Sequence, residues 1–180
     1  MRIFKFYIII SLLGFSFNVL ASGEVKIGVK LWPAGDFIAK TQKIKGGPYK
    51  TGPDSWIAKN IILDLKSLKT GIEIRDNHLR DTYFEVGKRG NSVATLVSAM
   101  GKGGKFKGKL QVHGVTGNIS GSYSIQGNFL VANFKTKSSG YSIKKGEYMG
   151  VGAEDEVTVE VKVAFTQIKP SSKKRRRNKK

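Results

Sequence analysis

Few side chains in this chain are suited to covalent or metal chemistry. There is no cysteine, and His78 and His113 are the only histidines. A nucleophile relay would have to combine a Ser or Thr with one of two histidines that fall in different elements, and neither H-x-x-x-H nor H-x-H spacing offers a metal two ligands. His78, beside Arg75 and Asp76, reads as a surface or packing histidine. His113 alternates with Leu110 to Val112 and is expected to face solvent. Gly101 to Lys109 holds four glycines and four lysines around Phe106. That composition can cradle phosphate, but the G-x-x-x-x-G-K-[ST] order is missing and no helix start follows, so the stretch reads as a mobile basic hairpin tip. With no nucleophile, metal cluster or paired carboxylates in evidence, an enzyme is not expected.

The charged residues with the most suggestive spacing lie in Leu63 to Val86, where two kinds of periodicity meet. Leu63, Leu65 and, past the strand end, Leu68 offer one apolar side against Asp64 and Lys66, as in a half-buried strand. Thr70-Gly71 then makes a turn, and Ile72, Arg75, Asp76, Leu79 and Arg80 recur at three and four residues, the spacing of one or two helical turns. Asp76 and Arg80 are four apart and would face each other on such a helix, an interaction worth a few tenths of a kcal/mol. The pair is expected to fix the short helix in place, with contact to a ligand headgroup as the alternative.

Nearly everything else reads as strands, and a single all-β domain fits both the length and the frequency of glycine. Val25, Ile27, Val29 and Leu31 alternate with Lys26 and Lys30. A turn over Pro33 to Asp36 leads to a second strand from Phe37 toward Ile44, and Gly46-Gly47-Pro48 closes that unit. Trp56 to Leu65 is expected to place Ile57, Ile61, Leu63 and Leu65 on one face. Ser92 to Met100 is expected to do the same with Ala94, Leu96 and Met100. Leu110 and Val112 approach a turn-like Gly114 to Gly117, after which Ile119, Gly121, Tyr123 and Ile125 recur at period two. Gly127-Asn128 reverses the chain into Phe129 to Phe134. The last strand is the clearest, with Val157, Val159, Val161, Val163 and Phe165 on one face. Such alternation suits strands that surround one interior, and periodicity alone leaves open whether that interior is packed or hollow.

Composition bounds the setting. Arg2 and Lys5, the apolar run Phe6 to Phe17 and Val19-Leu20-Ala21 form a secretory leader, expected to be cut after Ala21. The run is too short to span a bilayer. Without the leader the chain keeps 30 basic and 13 acidic residues, a formal charge of +17. Much of the excess sits in Lys173 to Lys180, which self-repulsion should keep disordered. An anionic membrane surface or lipopolysaccharide is the partner such a tail would meet in an envelope.

The segment S-L-K-T-G-I-E-I-R-D-N-H-L, Ser67 to Leu79, followed by Tyr83-Phe84, resembles the hallmark of the YceI-like family. Gly108 to Thr116 and Val151 to Val157 match further motifs in the expected order, and the likeness spans roughly Val25 to Phe165. The resemblance implies a lipocalin-like antiparallel β-barrel with a short helix near one end, enclosing a long isoprenoid chain in the periplasm. The expected organisation is a signal peptide over 1–21, a YceI-like barrel domain over 22–168 and a disordered polybasic tail over 169–180.

The ligand would be an amphiphilic lipid, with no other cofactor. The residues expected to line it are Leu63, Leu65, Leu68, Leu79, Phe84, Leu96, Phe106, Leu110, Val112, Ile119, Tyr123, Ile125, Phe129, Val157, Val159 and Val161. Each methylene so buried contributes roughly 0.8 kcal/mol. The chain departs from the family over Lys137 to Ile143, where members often carry an arginine and an aspartate, so no role is transferred there. Leu96 stands where an aromatic is common. The alternative is a solid barrel that grips anionic envelope polymers or nucleic acid through its loops and tail. No specific nucleic acid is expected as a partner, and a homodimer stays open.

Overall fold

The computed structural model describes residues 23–33, 35–148 and 150–166; the leader and the polybasic tail lie outside them. The strands are β1 (Gly23–Trp32), β2 (Asp36–Thr41), β3 (Ile44–Lys45), β4 (Tyr49–Gly52), β5 (Ser55–Asp64), β6 (Val93–Lys102), β7 (Lys105–Val112), β8 (Val115–Gln126), β9 (Phe129–Lys137), β10 (Glu147–Tyr148) and β11 (Val151–Ala164). They form one antiparallel sheet in the order β2-β1-β11-β9-β8-β7-β6-β5-β3, with β10 added to β11 and β4 to β5. Its two edges meet. After Thr41 the chain kinks, so that β2 pairs with β1 while β3 pairs with β5, and the sheet curls into a nearly closed barrel. Backbone bonds between Lys40 and Lys69 (2.8 and 2.9 Å) and from Thr166 N–H to Pro48 (2.9 Å) cover the seam that would otherwise be an open edge.

The turns follow from residue type. Gly103 and Gly104 both take positive φ (62° and 74°), the two-residue arrangement whose twist matches a hairpin. The basic stretch around Phe106 is therefore regular β6–β7 hairpin with a tip of only two residues, and Phe106 is buried inside the barrel. His113 and Gly114 (54° and 75°) make the β7–β8 turn in the same way, and Val115 to Gly117 already belongs to β8.

One feature inverts an expected face. Asn60 takes a left-handed conformation (φ 52°), and β5 and β6 pair through Lys59 with Ser98 and then Ile61 with Leu96, leaving Asn60 and Val97 unmatched. Asparagine tolerates that conformation better than most residues. The alternation shifts by one at this point, so Trp56 and Ala58 point inward on one side of it and Ile61 and Leu63 on the other. Ile57 and Met100 thus face outward, 38% and 65% exposed, and do not join Ile61 and Leu96.

The segment between β5 and β6 runs across one end of the barrel. Leu65–Ser67 form a 3-10 turn whose first free amide, Lys66 N–H, is capped by Asp64 at 3.0 Å. Helix α1 (Glu73–Asn77) continues without a break into a π-helical turn (His78–Tyr83), which closes with Phe84 N–H donating to the Leu79 carbonyl at 2.9 Å. The expected helix is thus present, with its second half widened. Buried Leu65, Leu68, Leu79 and Val86 pack it onto Ala39, Ala94 and Val112 of the barrel and onto Tyr141, which follows β9.

Candidate functional site: an apolar cavity with a polar mouth

The inward faces enclose a cavity of about 570 Å³, within the roughly 300–1,000 Å³ usual for ligand sites. Its floor is aromatic. Trp56 packs edge-on to Tyr123 at 5.6 Å and tilted to Phe106 at 6.0 Å, and Phe106 meets Phe134 edge-on at 6.0 Å. Such pairs add to the burial of large rings. Gly101 makes room for this layer, since a Cβ there would lie 2.3 Å from the Trp56 indole nitrogen. Among the described residues that nitrogen is buried without a hydrogen-bond partner. Tyr123 donates its hydroxyl to Asp54 at 2.9 and 3.0 Å, fastening the floor to the β4–β5 turn.

Above the floor, β11 contributes Val157, Val159 and Val161, and β1 contributes Ile27, Val29 and Leu31. Branched aliphatic residues dominate these walls, with Thr136 among the few polar groups that line them, so most of the contents can be held only by burial of apolar surface.

Polar groups gather at the mouth. Arg75, His78, Ser138, Lys144, Glu147 and Glu154 all border the opening. Arg75 lies over the Phe37 ring at 4.5 Å, a cation–π contact that holds its guanidinium beside the cavity. Asp76 anchors the helical segment from beneath. Almost fully buried, it accepts hydrogen bonds from Thr70 N–H (2.7 Å) and Thr70 hydroxyl (2.8 Å) and lies 3.4 Å from Lys69 Nζ. Burial alone would raise its pKa; the Thr70 and Lys69 contacts outweigh it and hold the carboxyl below its ordinary value. The expected Asp76–Arg80 pair does not form, because Asp76 turns toward Thr70 and Lys69, and Arg80 donates to Asn77.

Across the opening, Asp155 accepts from Ser139 hydroxyl and Ser139 N–H (both 2.7 Å) and Ser138 hydroxyl (2.9 Å), and these bonds lower its pKa. They fold the 138–147 stretch over the mouth, with Tyr141 buried beneath it. His113 does not stand free in solvent. Its Nε2 donates to the Phe84 carbonyl at 2.6 Å and ties the β7–β8 turn to the end of the helical segment.

Of the residues expected to surround a ligand, Leu63, Leu65, Leu68, Leu79, Phe84, Leu96, Phe106, Leu110, Val112, Ile119, Val157, Val159 and Val161 line this cavity. Three do not. Tyr123 and Ile125 belong to the packed layer forming the floor. Phe129 lies on the outer wall with Lys162 over its ring at 5.0 Å, because Leu130, Ala132 and Phe134 take the inward positions of β9. The site also includes Trp56, Phe37 and the stretch Tyr141 to Glu147, which the reading of candidate lining residues missed. Alternation could have found Phe37. Nothing periodic marks 141–147. Among the described residues no group of three His, Asp or Glu is placed to hold a metal ion.

The chain is thus an antiparallel barrel, hollow above an aromatic floor and open at one charged end. The YceI-like domain profile matches residues 20–165, most of the chain, and the protein belongs to that family. No curated protein sequence matches. Among solved structures, BcnA of Burkholderia cenocepacia is similar over 79% of this chain and 96% of its own, with 16% identity and a TM-score of 0.59. A polyisoprenoid binding domain from Saccharophagus degradans, implicated in plant cell wall breakdown, is similar over 78% of this chain and 91% of its own, at 16% identity and TM-score 0.54. At such identity these two likenesses establish the fold.

Proposed function

We propose that this protein is a non-enzymatic carrier or sequestering protein of the periplasm, holding a polyisoprenoid or similar amphiphilic lipid with its tail in the barrel. The observation that carries this reading is the aliphatic cavity joined to one polar mouth. A chain of methyl and methylene groups matches the walls, and each methylene group buried contributes roughly 0.8 kcal/mol. A polar headgroup would meet Arg75, His78 and Lys144 at the opening. Family membership and the polyisoprenoid binding domain among the structural neighbours support a lipid ligand. The leader motif at the N-terminus supports the periplasm as the place of work.

The test is organic extraction of folded protein purified from its native host, with mass spectrometry of the extract. A prenyl lipid near one per chain is the expected result. Protein that yields no lipid and takes up no apolar fluorescent probe would end the proposal.

A further inference from the structure

Between Glu85 and Glu147 the chain carries ten basic residues and no acidic one. Four of the ten are concentrated on the wall built by β6 and β7. Lys105, Lys107 and Lys109 occupy alternate positions of β7, so all three leave the outer face, about 7 Å apart along the strand. Lys102 is the cross-strand partner of Lys105, and Lys109 faces Ser98, whose other neighbour is Lys59. Like charges set opposite one another destabilise a sheet. Yet among the described residues none of these five lysines makes an ion pair.

The adjoining strands complete a surface. A shallow depression on this wall is bordered by Lys102, Lys105, Lys107 and Lys135, with Ser120, Ser122 and Asn133 offering hydrogen-bond donors. Lys135 alone of these lysines is neutralised, by Glu156 at 2.8 Å. Ile57 and Met100 stand exposed as cross-strand partners, and Met100 is also the partner of Lys107. The result is a cationic field with an apolar spot inside it.

We infer that this wall docks on a bilayer rich in anionic phospholipid. The lysines meet headgroup phosphates, and Met100 and Ile57 enter the apolar edge of the interface, the combination by which peripheral proteins hold anionic membranes. A platform for single-stranded nucleic acid would present aromatic faces for stacking, and the outward positions of β6, β7 and β8 hold none. The β6–β7 tip lies at the floor end, where Gly103 N–H bonds the Asp54 carbonyl. Docking therefore leaves the mouth uncovered, and surface binding is separable from cavity binding.

The experiment uses the full mature chain, with its tail, and vesicles of phosphatidylcholine with or without one quarter phosphatidylglycerol. The variant Lys102→Gln/Lys105→Gln/Lys107→Gln should bind the anionic vesicles about 100-fold more weakly than wild type while taking up an apolar cavity probe as wild type does. Met100→Trp should shift its emission to the blue on anionic vesicles and not on neutral ones. Retained vesicle binding by the triple variant, an unshifted Trp signal, or preference for a single-stranded polynucleotide over the vesicles would each overturn the inference. Loss of probe uptake by wild type would count against the cavity reading alone.

Discussion

Val163 and Val159 lie on the same inward face of β11, four residues apart. Both border the cavity, yet Val163 is 2% exposed whereas Val159 is only half-buried. The difference is made by what stands opposite. At the floor, Trp56, Phe106 and Tyr123 fill the barrel with rings, and Phe134, the strand partner of Val159, caps that layer at the level where the cavity opens. Nearer the mouth, mainly aliphatic side chains, with Phe37, Tyr83 and Phe84, line the wall and leave the space between them open. Strand alternation dictates only which side chains point inward; their volumes decide whether the inside is solid.

The largest effect is expected at the floor. Trp56→Ala should destabilise the protein by about 3–5 kcal/mol, since it empties a closely packed layer that cannot collapse; denaturant unfolding measures this, and a loss below about 1 kcal/mol would mean the floor is loose. Asp76→Asn comes next, at about 1–3 kcal/mol near neutrality, because a carboxylate accepting several hydrogen bonds is replaced by a group that must present a donor as well. The sign of its pH dependence follows from the lowered pKa. A carboxyl depressed in the folded state contributes stability above its unfolded value of roughly 3.9 and loses it as pH falls through the folded value. The gap between Asp76→Asn and wild type should therefore be full at pH 6 and close progressively below about pH 4. Asp155 is depressed as well, so acid should loosen both sides of the mouth and speed release of a bound probe.

The smallest effects on stability are expected in the hollow half. Val159→Ala should cost less than about 1 kcal/mol, because the methyl groups removed already border space. Val159→Trp should change stability by a similar amount while lowering affinity for an apolar probe more than tenfold. A Trp accepted without loss of probe binding would show that the probe sits elsewhere.

How far the fold is legible in the sequence varies along the chain for physical reasons. β1, β8 and β11 are plain because apolar residues or glycine alternate with mostly polar residues over 25–31, 115–126 and 157–163. β5 and β6 mislead at one residue. The left-handed Asn60 shifts the phase, and because Ile57 and Met100 are themselves apolar, the pattern gives no sign that they have turned outward. Phe129 misleads similarly, since Phe129-Leu130-Val131-Ala132 is apolar at both parities. The Ser138–Glu147 side of the mouth has no periodic signal at all. Its position is fixed by Asp155, sixteen residues beyond Ser139, through hydrogen bonds that composition does not announce.

The central claim is that the space above the aromatic floor holds a hydrocarbon chain. Titration of a long-chain apolar fluorophore into wild type and Val159→Trp, with folding of both verified, tests it most directly. Saturable one-to-one binding by wild type and little by the variant is the expected result. Equal binding by the two proteins, or none by wild type, would contradict it.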